Sequence, residues 1–376
     1  MKKGTTAVFA AGFLQGSAFV LIPALGSILR SAPYAMGNGT YGMLYFPEII
    51  GAIIAALAAG SIHKRFGAHG LFRIGVLANA IAMVLLVLAF FSGQGLVVVI
   101  LLAETLLLGV GFGLTNAAIN RASTLIFAGS ATAAVTILNG VIGAATSISP
   151  MLLHLSTVWL TWVLWPAALL LLWLLTLLLP QALEENQGQE IGGLRAWKKS
   201  MIPFAAAVVI YAICEGSFGS WANILVSVDH HLARATGAAA LSLFWGGMTV
   251  ARFVLGAIPD PWLSRRWVYR AAPLGMAACF LIIPQLHSAT ALLLCFALAG
   301  AACGIYYPYS MAFGVARHGK EGTQMAGLMV GALMVGEGIG SAGLGPLQAL
   351  LSLNHIYLFS ALWAIPLIWL AWGNSS

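Results

Sequence analysis

Charge is what this chain has least of. Only 7% of its 376 residues are Asp, Glu, Lys or Arg and 61% are hydrophobic, whereas a soluble globular protein is about 25% charged. The mean hydropathy is +0.96. These values exclude a soluble core wrapped in a polar shell. Acid is scarcer than base: ten Asp and Glu stand against seventeen Lys and Arg, a formal charge of +7. That excess is no nucleic-acid surface, because the basic residues sit in short loops at the ends of apolar runs rather than in a patch or tail. Cysteine is limited to Cys214, Cys279, Cys295 and Cys303, all inside apolar runs and none at metal-ligand spacing, so neither a disulfide framework nor a zinc site is expected. Asp229-His230-His231 is too small a group to hold a metal. No activated Ser or Cys and no His/Asp cluster lies near a membrane face, so no enzyme and no cofactor is expected.

What fills the chain instead is long apolar runs. They reach about 20 residues or more, the length of a spanning helix rather than of a barrel strand of about 9–11 residues. Polar and turn-forming breaks separate twelve of them, near 5–30, 39–62, 70–92, 95–121, 130–155, 157–180, 200–227, 235–258, 267–286, 289–315, 323–350 and 354–373. The run after Met1-Lys2-Lys3 is long enough to span and does not read as a cleaved signal. The longest polar stretch follows the sixth run. It divides the chain into an N-terminal six-helix bundle at 1–181, a cytoplasmic linker at 182–199 and a C-terminal six-helix bundle at 200–376. No other loop has room for a further domain, which weighs against a sensor or scaffold. With the N-terminus inside, 15 of the 17 basic residues fall on the cytoplasmic side and only Arg30 and Arg234 fall outside. Both termini are therefore expected in the cytoplasm of a multi-pass inner-membrane protein, its surroundings the lipid bilayer. The halves also echo one another. Asn139-Gly140 with Pro150 parallels Gly336 with Pro346, and Gly60 and Gly256 open similar ends of the second and eighth runs. Weak internal symmetry of this kind is expected of transporters built from repeats.

Four glutamates interrupt the apolar runs: Glu48, Glu104, Glu215 and Glu337. A carboxylate in hydrocarbon costs roughly 2.5 kcal/mol or more on insertion scales and persists where it has a function or a partner. All four are candidates for proton coupling. Glu215 shares a face of its run with Tyr211 and Ala222, at i, i+4 and i+11, with Trp221 and Asn223 flanking. A carboxylate beside an indole suits a polyol, whose hydroxyls bond the carboxylate while its apolar face stacks on the ring. The other role open to Glu215 is pairing with a neighbouring helix. Glu337 lies in Gly336-Glu-Gly-Ile-Gly340, which fits a tight gate contact as well as a site. Gln15 and Asn116 are expected to line a polar cavity in the N-terminal half; the alternative for them, and the reading for Asn120 and Asn139, is interhelical hydrogen bonding. Trp245, Thr249 and Arg252 share a face, with Arg252 near the cytoplasmic end in a gating or snorkelling position. Trp245, Tyr306 and Tyr307 complete the candidate substrate contacts, the tyrosines flanking the kink at Pro308.

Gly60-Ser-Ile-His-Lys-Arg-Phe-Gly67 resembles the loop between helices two and three of the major facilitator superfamily. Within that superfamily the fucose–proton symporter group is the most similar. The resembling stretches are Gly111 to Asn120, Leu138 to Gly143 with Pro150, Tyr211 to Glu215 with Trp221, and Phe244 to Arg252. The resemblance implies an all-α fold of twelve transmembrane helices in two pseudo-symmetric bundles. It implies a monomer working by rocker-switch alternating access, with solute bound among helices 1, 4, 5, 7, 8, 10 and 11. Gly60, Arg65 and Gly67 then belong to the cytoplasmic gate with Arg252, although Lys64 replaces the loop's usual acid and Ala68-His69 its trailing basic pair. The group's acids in helices one and four would align near Phe19 and Asn116, neither of which is acidic. A titrating carboxylate must then come from the four glutamates. The expected function is proton-coupled uptake of a small, sugar-like polar solute. The alternative is a proton-coupled efflux antiporter for drugs or metabolites, disfavoured by the absence of that class's helix-five Gly-Pro string between Gly140 and Pro150.

Overall fold

The computed structural model describes every residue except 1–3, 127–130, 155–157, 180–197, 259–263 and 376. Among the described residues there is no strand. Lys2, Lys3, Arg195 and nearly all of the expected linker lie outside them.

The first apolar run forms α1 (Thr5–Phe19) and α2 (Leu21–Leu29), and a short α3 (Asn38–Met43) follows. Next come α4 (Tyr45–Phe90), α5 (Gln94–Ile126), α6 (Ala131–His154) and α7 (Trp165–Thr176). The remainder is α8 (Ile202–Ile224), α9 (Arg234–Ala257), α10 (Arg265–Ile282), α11 (Ala289–His318), α12 (Gly322–Ala342), the one-turn α13 (Leu344–Leu347), α14 (Leu353–Ser360) and α15 (Ala364–Asn374). Two expected spans, 39–62 and 70–92, are joined in α4 almost without a loop. Only Gly67 leaves helical geometry, at φ 70° and ψ −178°. Lys64, Arg65 and Phe66 all tolerate helix, so the break falls on the one residue whose missing Cβ admits a positive φ. Nine helices among the described residues are long and apolar enough to cross a membrane, Leu57–Phe90 counted once. The 45–66 part of α4 and the shorter apolar helices Ile137–Leu152 and Trp162–Thr176 make up the twelve expected spans.

The chain forms two compact units, one of Met1–Ala35 with Met43–Ile191 and one of Met36–Gly42 with Gly192–Ser376. In the first, α5 packs along both parts of α4. A Cβ on Gly109 would strike the Glu48 carbonyl, one on Gly51 the Leu106 carbonyl, and one on Gly111 the Asn79 amide. Small residues take the place of hydrophobic driving force, which is absent between helices in lipid, by letting backbones touch. Trp162 closes the far end, its indole N–H donating to the Leu86 carbonyl at 2.9 Å and its ring 4.7 Å from that of Tyr34.

In the second unit, Gly216, Gly336 and Gly340 bring α8 and α12 into backbone contact. Phe218 stacks on Phe280 at 4.0 Å, and the Tyr357 hydroxyl donates to the Ser217 carbonyl at 2.9 Å. Met201, Phe204, Val208, Met325, Met329 and Ala332 form a core at one end, beside an exposed ion pair of 2.6 Å between Lys198 and Glu321. Met36–Gly42 belongs here because the Tyr41 hydroxyl donates to Ser220 and its ring meets Trp221 edge-on at 5.1 Å. Hydroxyls inside the helices mostly return to the carbonyl one turn back, as Thr146, Ser147, Ser217, Thr249 and Ser360 do. That is how polar residues sit in an apolar bundle without an unmet donor. All four cysteines are free and buried.

Candidate functional site

The best-formed polar cluster lies in the second unit around Glu215. The run Cys214-Glu-Gly-Ser-Phe-Gly-Ser-Trp221 places small residues on either side of the glutamate, and the missing side chain of Gly216 admits the α12 backbone at Glu337. Glu215 is 6% exposed. Its electrostatic neighbours are Arg252 of α9 and Tyr211, one turn back on α8. Tyr307 and Cys303 of α11 feel the same two charges. Arg252 and Glu215 nevertheless make no ion-pair contact. The guanidinium is exposed and donates its Nε–H to the Gly304 carbonyl at 3.2 Å, leaving the rest of its donor fork open. Sequence position alone had placed Arg252 in a gate; the fold also sets it beside Glu215.

Aromatic rings wall the cluster. Tyr211 is fully buried and stacks on Tyr306 at 5.4 Å and on Tyr307 at 6.4 Å, with ring planes 18° and 12° apart. The Tyr211 hydroxyl is buried beside Glu215 without reaching hydrogen-bond geometry. Tyr306 is committed to packing: it is 0% exposed, donates to the Leu367 carbonyl at 3.3 Å, and has Tyr269 4.6 Å away. Tyr307 is half-buried and keeps a free edge. Trp245 is half-buried, its ring held under Gly219.

Other expected contacts lie elsewhere. Trp221 and Asn223, expected against solute, are both buried. The Trp221 indole is 0% exposed and donates to the Ser341 carbonyl at 2.9 Å, because α8 turns that face onto α12. Asn223 is 1% exposed and accepts from Ser227. In the first unit Gln15 is fully buried and accepts from Asn79 at 3.3 Å, while the Asn116 side-chain Oδ1 accepts from the Asn120 amide at 2.7 Å. For Gln15 the bond crosses from α1 to α4, the interhelical alternative, whereas the Asn116 bond stays within α5 and Asn116 is half-buried. Asn79 escaped the sequence reading; a lone amide in the run 70–92 was the available signal, and it joins Gln15 to Thr115. Glu337 is half-buried, its backbone against Gly216. Glu104 is fully buried with no hydrogen bond to either oxygen, and half-buried Glu48 is its electrostatic neighbour. Among the gate residues, Arg65 is exposed over the Phe66 ring at 5.2 Å, Gly60 is half-buried and Gly67 makes the α4 break.

Among the described residues the structure is helical throughout, with helices of membrane-spanning length and buried carboxylates inside them, the build of a multi-pass integral membrane protein. The chain belongs to the Major Facilitator Superfamily, whose pattern it matches over residues 4–343. Three solved structures share its fold. A D-xylose–proton symporter superposes with a TM-score of 0.80 at 16% identity, over 98% of this chain and 96% of that one. A variant of the nucleoside transporter NupG gives 0.74 at 15% identity, over 98% of each chain. FucP, a Major Facilitator Superfamily transporter in the outward conformation, gives 0.64 at 17% identity, over 99% and 98%. No curated protein sequence matches the chain.

Proposed function

We propose that this transporter carries a small, sugar-like polar solute into the cell by alternating access, in symport with protons, as a monomer in the inner membrane with both termini cytoplasmic. The observation that carries the reading is the Glu215 cluster. A carboxylate and a guanidinium lie close together without neutralising each other, beside the half-buried Tyr307 and Trp245. A polyol suits such a site. Its hydroxyls donate to Glu215 and accept from Arg252, while its C–H face covers an aromatic ring. Tyr211 and Tyr306 hold the walls from behind. The likeness in fold to a D-xylose–proton symporter supports the same coupling. Protons are needed because binding energy is returned on release and cannot by itself drive accumulation. The basic residues around Lys64–Arg65 and Arg265–Arg266 support the inward placement of those loops. The two six-helix bundles, joined through 182–199, are the bodies that alternate.

The test is uptake into energised proteoliposomes from a radiolabelled panel of pentoses, hexoses and nucleosides, with an internal pH indicator. The expected result is accumulation of one class together with proton entry, abolished by Glu215→Gln. Outward pumping of dye from cells, lost when the gene is deleted, with no panel member accumulated, would replace uptake by efflux.

A further inference from the structure

Glu104 is the one glutamate the proposed site leaves unused and the structure leaves bare. It is 0% exposed, and neither oxygen has a hydrogen-bond partner. An ionised carboxylate in such a place would be a naked charge among apolar side chains, whereas the neutral acid forgoes only hydrogen bonds that cost a few kcal/mol at most. The surroundings are built tightly enough to keep water out. Two residues beyond Glu104 the Leu106 carbonyl lies on Gly51, and five residues beyond it Gly109 lies on the Glu48 carbonyl. The glycines thus fix the α4 backbone carrying Glu48 against the α5 backbone carrying Glu104.

Helices α4, α1 and α6 pack on α5. The 45–66 part of α4 offers Glu48 near Glu104, with the buried phenol of Tyr45 one turn before it; His63, Lys64 and Arg65 lie four or more turns further on, as do His69 and Arg73 beyond the break. The α1 segment Thr5–Phe19 has no ionisable side chain. In α6 the one ionisable residue is the terminal His154. Glu48 is therefore the charged group that Glu104 faces, and Glu48, half-buried, is the member of the pair that reaches a surface.

We propose that Glu104 is a proton-binding site separate from the solute cluster, loaded and unloaded through Glu48 across the α4–α5 contact. The assignment rests on the proton-symport reading for its use in transport, and stands without it as a statement about where a proton resides. The step is a transfer with nothing left over: the proton on the Glu104 carboxyl passes to the Glu48 carboxylate, which releases it to water. Two neighbouring buried carboxyls do not ionise together without mutual repulsion, so one proton shared by the pair is the natural loaded state. The geometry also divides the labour: Glu215, which has a cationic neighbour and a solute-facing wall, is left to bind.

The experiment is infrared spectroscopy of the purified protein in nanodiscs, read in the C=O stretch of protonated carboxyls while the buffer is taken from mildly acidic to strongly alkaline. Wild type should show a protonated-carboxyl band that fades as pH rises. Glu104→Gln should lose that band, Glu104→Asp should keep it at a shifted frequency, and Glu48→Gln should move the pH at which it fades. Thermal melting confirms that each variant is folded. A band undiminished in folded Glu104→Gln overturns the assignment. So does a band that survives every alkaline buffer, since a locked acid carries no proton anywhere. If the band titrates as expected but no member of the sugar and nucleoside panel is taken up, the proton site stands and the solute reading falls. If solute and protons move together in wild type but Glu104→Gln still couples them, the solute reading stands and the use of the Glu104 proton in transport falls.

Discussion

Glu215 in the second unit and Glu104 in the first are both glutamates on apolar helices, both beside glycines that draw a neighbouring helix close. They differ in company. Glu215 has a guanidinium, a phenol and a half-buried ring around it; Glu104 has a second carboxyl and nothing to bond. The same side chain at the same depth class is thus equipped for two tasks, one to accept hydrogen bonds from a visitor and the other to hold a proton. Burial does not tell these apart, and the partners do.

The sharpest way to break that contrast is to remove each carboxylate in turn. Glu215→Gln should lower solute affinity by about tenfold to a hundredfold, the equivalent of one charged hydrogen bond of about 1.5–3 kcal/mol, measured by ligand-induced thermal shift with the panel's best solute. An unchanged shift would take Glu215 out of the site. The next effect in size concerns the α4–α5 contact that seats Glu48 by Glu104. Gly109→Ala sets a methyl group on the Glu48 carbonyl and should destabilise by about 1–3 kcal/mol. Gly331→Ala on α12, which meets nothing within 4 Å, should stabilise by up to about 1 kcal/mol through helix propensity. Equal melting points for the two variants would mean the α4–α5 approach is looser than described. Glu104→Met, similar in length and apolar, should raise the melting point by up to about 1–3 kcal/mol worth of relieved polar burial; a lower one would reveal a partner and end the contrast with Glu215. Smallest is Trp221→Phe, which forfeits the bond to Ser341 and about 1 kcal/mol of stability while leaving solute affinity within about twofold. A large affinity loss there would return Trp221 to the binding surface.

The spans were legible because hydrocarbon imposes a length: each run between polar breaks became helix, and the glutamates stood out against it. What stayed hidden was which way those helices face. A helix apolar on all sides carries no stripe from which its buried face can be read. Trp221 and Glu215 sit six residues apart on α8, and nothing in that interval says that one turns onto α12 at Ser341 while the other meets Arg252. The reach of Arg252 depends on the Gly304 carbonyl, 52 residues further on, and the meeting of Glu48 with Glu104 depends on Gly109 and Gly51. Local spacing carries no record of such crossings. Gln15 shows the converse case: both of its roles were in view, and the choice fell to Asn79, a residue the pattern gave no reason to single out.

The break at Gly67 has a mechanical consequence. A single left-handed residue joins two spanning segments with almost no spare chain, so there is no leash to take up slack if one of them shifts along the other. Residues 45–66 and 68–90 therefore have little room to slide past one another, like the two arms of a clip whose charged tip is Lys64–Arg65.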